Sequence, residues 1–194
     1  FQTGDMIQAS PTYYDEKVYS GSNDGILYCI DANKGTASWS SKAGNSIISK
    51  PGIHTDETEK SIVIFGSNDK HCYGLDSDTG SLVWSYKTGG SVMSDPLVQD
   101  GLAIFGSGDG KIYCLDAYSG EKIWSYQTDG LMRQRPVIKD NVLFAFVRDT
   151  YIWYAVNVDD GSLKWRGNAD TDESLFVVGD IRPTIVGDKL WCID

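Results

Sequence analysis

Short runs of alternating apolar and polar residues cover the chain from end to end. Ile26 to Ile30 and Lys111 to Leu115 put tyrosine and leucine or isoleucine on opposed faces at a period of two, the signature of a β-strand. Other short runs, such as Thr12 to Tyr14, Leu97 to Val98, Val18 to Ser20, Ile62 to Gly66 and Ala103 to Gly106, read as further strands. No segment carries a helical period. Asp24-Gly25 and Asp109-Gly110 predict tight hairpins, each dipeptide supplying the positive φ angles of such a turn.

This pattern repeats. Gly21 to Trp39 reads GSNDGILYCIDANKGTASW, Gly66 to Trp84 reads GSNDKHCYGLDSDTGSLVW, and Gly106 to Trp124 reads GSGDGKIYCLDAYSGEKIW. A fourth copy, FVRDTYIWYAVNVDDGSLKW from Phe146 to Trp165, holds one extra residue. Counting back from each tryptophan, a glycine stands 4 residues earlier, Asp31, Asp76, Asp116 or Asn157 stands 8 earlier, and a tyrosine stands 11 earlier. Pro51, Pro96 and Pro136 follow the first three tryptophans by 12 residues, and Pro183 follows the fourth by 18. Tryptophan spacings of 45, 40 and 41 residues, with four antiparallel strands in each interval, predict propeller blades.

These strings resemble the pyrroloquinoline quinone (PQQ)-like repeat, whose signature is GSxDGxxYALDAxTGxxxW. The resemblance implies an all-β propeller of four-stranded antiparallel blades, about four and a half of them in the 194 residues. It further implies that Trp39, Trp84, Trp124 and Trp165 dock neighbouring blades together. The expected organisation is one domain over 1–194, with blades at approximately 8–44, 48–89, 93–129 and 133–170 and a partial fifth at 180–194. Phe1-Gln2-Thr3-Gly4 matches Tyr126-Gln127-Thr128-Asp129, so the chain opens at the end of a fourth strand. Two registers stay open for the last strand: Lys189-Leu190-Trp191 matches Lys17-Val18-Tyr19 of a second strand, and Leu190 to Asp194 matches Leu27 to Asp31 of a third. Family propellers usually have seven or eight blades. The chain is expected to be a fragment of a larger propeller, with a small propeller or one completed by self-association as the rival.

Charge narrows the partners. A net charge of -10 repels phosphate backbones, so nucleic acid and anionic membrane surfaces are not expected to bind. The longest apolar run, Val142 to Val147, is far below the roughly 20 residues that span a bilayer. Cys29, Cys72, Cys114 and Cys192 lack CxxC spacing and read as buried thiols.

Catalytic and metal-binding signals are weak. The family's quinoprotein dehydrogenases hold PQQ over calcium and often carry an adjacent cysteine pair, which this chain lacks, so neither PQQ nor calcium is expected. Asp76-Ser77-Asp78-Thr79-Gly80 resembles the start of a calcium loop, yet Lys87 stands where the completing glutamate belongs, and the turn reading is preferred. His54 and His71 belong to no triad spacing, and no catalytic residue is nominated.

One positional signal remains. Residues just before each proline begin the innermost strand and would converge at one mouth of the channel. They are Ser10, Lys50, Asp95, Arg135 and Arg182, with Arg133 nearby. Lys50, Arg133, Arg135 and Arg182 therefore form a candidate anion or partner site, since guanidinium groups suit carboxylate and phosphate. The leading expectation is a non-catalytic scaffold binding a protein partner, with Tyr14 and Tyr118 as exposed turn anchors. The alternatives are a fragment of a PQQ-dependent dehydrogenase and a sensor domain of a larger membrane or kinase protein. The resemblance implies a periplasmic or cell-surface location, while free thiols also suit a reducing cytosol.

Overall fold

The computed structural model describes residues 1–58 and 60–168 in full and, of the remainder, the backbone of two strands, Arg182–Val186 and Lys189–Ile193. Every regular element among them is a strand. The first sheet contains β1 (Thr12–Tyr14), β2 (Lys17–Gly21), β3 (Ile26–Asp31) and β4 (Ala37–Lys42). The second contains β5 (Gly52–Thr55), β6 (Ser61–Gly66), β7 (His71–Asp76) and β8 (Leu82–Lys87). The third contains β9 (Leu97–Gln99), β10 (Leu102–Gly106), β11 (Lys111–Asp116) and β12 (Lys122–Gln127). The fourth contains β13 (Val137–Lys139), β14 (Val142–Val147), β15 (Ile152–Asn157) and β16 (Leu163–Asn168), and β17 (Arg182–Val186) and β18 (Lys189–Ile193) start a fifth.

Within each sheet the strands pair antiparallel in chain order, giving a propeller blade. The register of the last strand is settled by backbone pairing. Thr184 faces Trp191 and Val186 faces Lys189, as Thr12 faces Tyr19 and Tyr14 faces Lys17, so β18 is a second strand. The hairpins between second and third strands differ slightly from expectation. Only the glycine is left-handed, Gly25 at φ 79° and Gly110 at φ 81°, and in the second blade Lys70 takes the same conformation at φ 76°.

The third and fourth strands share one irregularity, a register shift after Cys29, Gly74, Cys114 and Ala155. The residue before each tryptophan is thereby left without a partner, and Val83 and Ile123 are exposed there. Trp39, Trp84, Trp124 and Trp165 face Cys29, Gly74, Cys114 and Ala155 across the sheet. All four are small residues. A Cβ on Gly74 would come within 2.3 Å of the Trp84 ring, which shows how close the indole lies to the strand.

Apolar burial occurs between blades. Tyr19, Leu27 and Cys29 pack on Val63, Phe65 and Leu75; Ile62, Ile64 and Trp84 pack on Phe105 and Leu115; Ile104, Ile112 and Trp124 pack on Leu143, Ala145 and Val156. Each cluster joins one blade to the next.

Candidate functional site

Three tryptophans lock successive blades. Trp39 donates its indole N–H to the Ser77 carbonyl at 3.0 Å, Trp84 to Ala117 at 3.1 Å, and Trp124 to Val158 at 2.7 Å. Their rings lie over Gly80, Gly120 and Gly161 of the following blade, where no Cβ fits. Trp165 departs from this arrangement. It is 44% exposed, and among the described residues its ring meets Phe144 of its own blade at 6.0 Å.

A polar clamp fixes the hairpins. Asp69 accepts from the Tyr73 hydroxyl at 2.7 Å, from the Gly44 N–H at 2.6 Å and from the His71 N–H at 2.9 Å. Asp24 and Asp109 do the same with Tyr28, Gly4 and Ile26, and with Tyr113, Gly89 and Lys111. Burial alone would raise these carboxyls, but the tyrosine hydroxyl and the backbone donors outweigh it and hold all three below the usual carboxylate range.

The loops entering each blade are seated by glycine. A Cβ on Gly21, Gly66 or Gly106 would run into Ile47, Val92 or Met132, so the glycines let those loop residues bury against the end of the second strand. Ser49 and Ser94 then accept the N–H of Gly66 and Gly106, each at 2.8 Å. In these extended loops, side chains beside a buried anchor point the other way. Met132 is buried, whereas Arg133 and Arg135 on either side of Gln134 are exposed.

These loops converge. A cavity of about 500 Å³ is lined by residues of all four blades, among them Ser10, Asp95, Arg133 and Arg135 from the sequence-derived set, with Gln8 and Met93 also in its lining. Lys50 lies beside it in a smaller depression of about 180 Å³, which shares Asp95 and Arg135 with the larger cavity. The Asp95 carboxylate accepts the Lys50 backbone N–H at 2.7 Å, joining the second blade's entry to the third. Arg182 is the first residue of β17; its side chain lies outside the described residues.

Arg148 and Asp149 also line the cavity, and sequence reasoning missed them. They occupy the fourth copy's version of the GSxD hairpin, where the first three copies have Asn23, Asn68 and Gly108 followed by the clamp aspartate. The extra residue changes the clamp. Tyr154 accepts the Asp129 N–H at 3.0 Å, the Asp129 carboxylate pairs with Arg166 at 2.5 Å, and Asp149 is left out. The one-residue excess was the available signal. Among the described residues, Arg133, Arg135 and Arg148 form no ion pair.

Other sequence candidates have local roles. Asp76 accepts from the N–H groups of Asp78 and Thr79 at 3.1 and 2.8 Å, closing a turn. Tyr14 is not an exposed anchor: its hydroxyl meets Thr55 and Ser61 of the second blade at 2.9 and 3.1 Å. Tyr118 is 38% exposed. His71 is half-buried against Asp69 and Tyr73. Cys29, Cys72 and Cys114 are free and buried, and burial pushes the Cys114 thiol up to about 12. The side chain of Cys192 lies outside the described residues. Among the described residues no three acidic, histidine or cysteine side chains gather as a metal site would need. Among the described residues no helix is long and apolar enough to cross a membrane.

The chain is similar to solved structures. BamB from Moraxella catarrhalis superposes with a TM-score of 0.63 at 22% identity, over 88% of this chain and 66% of that one. The computationally designed Ika8 protein superposes with a TM-score of 0.75 at 14% identity, over 94% of this chain and 54% of that one. This chain thus spans about two thirds of the first and about half of the second. No curated protein sequence matches it. The family described as outer membrane protein assembly factor BamB matches residues 2–97 and again 89–193. With both matches together spanning nearly every residue and the blade geometry agreeing, the chain belongs to that family of PQQ-like repeat propellers.

Proposed function

We propose that this chain acts as a rigid scaffold that binds a protein partner through the face where its blade-entry loops converge. The observation that carries this reading is the cavity lined by all four blades, with Arg133, Arg135 and Arg148 free of ion pairs among the described residues. Clamp aspartates, glycine seats and docked tryptophans hold the surrounding backbone, so a partner would meet a surface that needs little ordering on binding. Membership of the BamB family supports an interaction role.

The experiment is a selection of peptides from a random library displayed against the purified chain, with the bound segments located by hydrogen exchange. Protection centred on residues 6–10, 46–50, 91–95, 131–135 and 148–149 supports the scaffold reading. Protection confined to the outer fourth strands, or no enriched peptide, overturns it.

A further inference from the structure

Arg148 changes what the cavity can recognise. Arg133 and Arg135 come from one loop, but Arg148 comes from the hairpin between β14 and β15, so guanidinium groups reach the same cavity from two separate pieces of backbone. Such groups favour carboxylate oxygens through paired N–H donors. The rest of the lining is mixed. Ile48, Met93 and Leu131 supply apolar surface, and Asp95 and Asp149 supply the only carboxylates among its described residues. Asp95 is partly spent on the Lys50 N–H.

We infer that this cavity takes a short extended peptide segment of a partner, carrying one or two acidic side chains flanked by apolar ones. Its volume of about 500 Å³ lies within the usual range of ligand sites. The smaller depression continues it past Arg135 and Asp95 toward Lys50 and Ile53, which makes the recess elongated and suits a chain better than a compact ion. The protein's net charge of -10 disfavours a polyanion, so the ligand's charge is few carboxylates and not a run of phosphates. Apolar flanks match Ile48, Met93 and Leu131. This inference rests on the scaffold reading and names the chemistry of its partner.

The test is fluorescence anisotropy with a short fluorescein-labelled peptide alternating Leu and Glu, its Leu and Gln counterpart, and inorganic phosphate as competitor. The Glu peptide is expected to bind, and R148A, R133A and R135A each to weaken it about tenfold. R166A, whose partner Asp129 is outside the cavity lining, is the control that leaves binding unchanged. Raising salt from about 0.05 to about 0.5 M weakens the Glu peptide and barely affects the Gln one. Equal binding of both peptides, or full affinity in the triple arginine variant with an unaltered melting temperature, overturns the inference. So does displacement by equimolar phosphate, which would make the cavity a simple anion site. If library peptides protect the loop face while the Glu peptide fails, the scaffold reading survives and only the acidic ligand falls.

Discussion

The indole of Trp84 lies so close over Gly120 of the next blade that a Cβ there would stand 2.6 Å from the ring, and Gly120 is also left-handed at φ 72°. Gly101 has a similar φ of 75° with no atom within 4 Å of its Cβ position. Gly101→Ala is therefore expected to cost only the backbone strain, about 1–2 kcal/mol. Gly120→Ala should cost that and about 1–3 kcal/mol more, because the tryptophan must be displaced. Urea denaturation of the two variants compares them directly, and equal losses would contradict the docking account.

The tryptophans are not equivalent. Trp84 is 7% exposed and Trp165 44% exposed. Trp84→Ala is expected to destabilise by about 3–5 kcal/mol. Trp165→Ala should cost about 1 kcal/mol or less. Trp124→Phe keeps most of the apolar contact but orphans the Val158 carbonyl, for a loss of about 1–2 kcal/mol. Chemical denaturation monitored by circular dichroism distinguishes the three.

Acid should loosen the hairpins. Asp24, Asp69 and Asp109 hold their protons less tightly when folded than when unfolded, where an aspartate titrates near about 3.9. Their contribution is thus complete above that value and disappears as pH falls through the lower folded values. Melting temperature measured by calorimetry is expected to be less pH-sensitive near pH 6 than below about pH 4. Asp109→Asn should flatten part of the acid limb while lowering stability at neutral pH.

Lys70 carries strain that its counterparts Gly25 and Gly110 avoid, since a side chain at φ 76° costs about 1 kcal/mol. Lys70→Gly is expected to stabilise the protein by about 0.5–1 kcal/mol, offset in part by the freer unfolded chain. A lower melting temperature for this variant would show that the lysine side chain makes a compensating contact.

Blade architecture was legible because each contact that defines a blade uses one residue type at a fixed offset, as with Tyr73 above Asp69 or the turn closed by Asp76. Contacts between blades were harder to read. Trp84 and Gly120 belong to different copies, and nothing in either copy says which partner the ring will find. The convergence of Arg133 and Arg135 followed from their place before Pro136, whereas Arg148 was hidden by the extra residue that breaks alignment in the fourth copy. Tyr14 was misplaced for a related reason: its partners Thr55 and Ser61 are supplied by the next blade.

Among the described residues the three apolar clusters never merge into one core, since each is shared by only two neighbouring blades. Mechanically the four described blades are a row of couplings, and a lesion in one is contained there instead of spreading through the others. Tension applied across the four described blades would accordingly part them one coupling at a time.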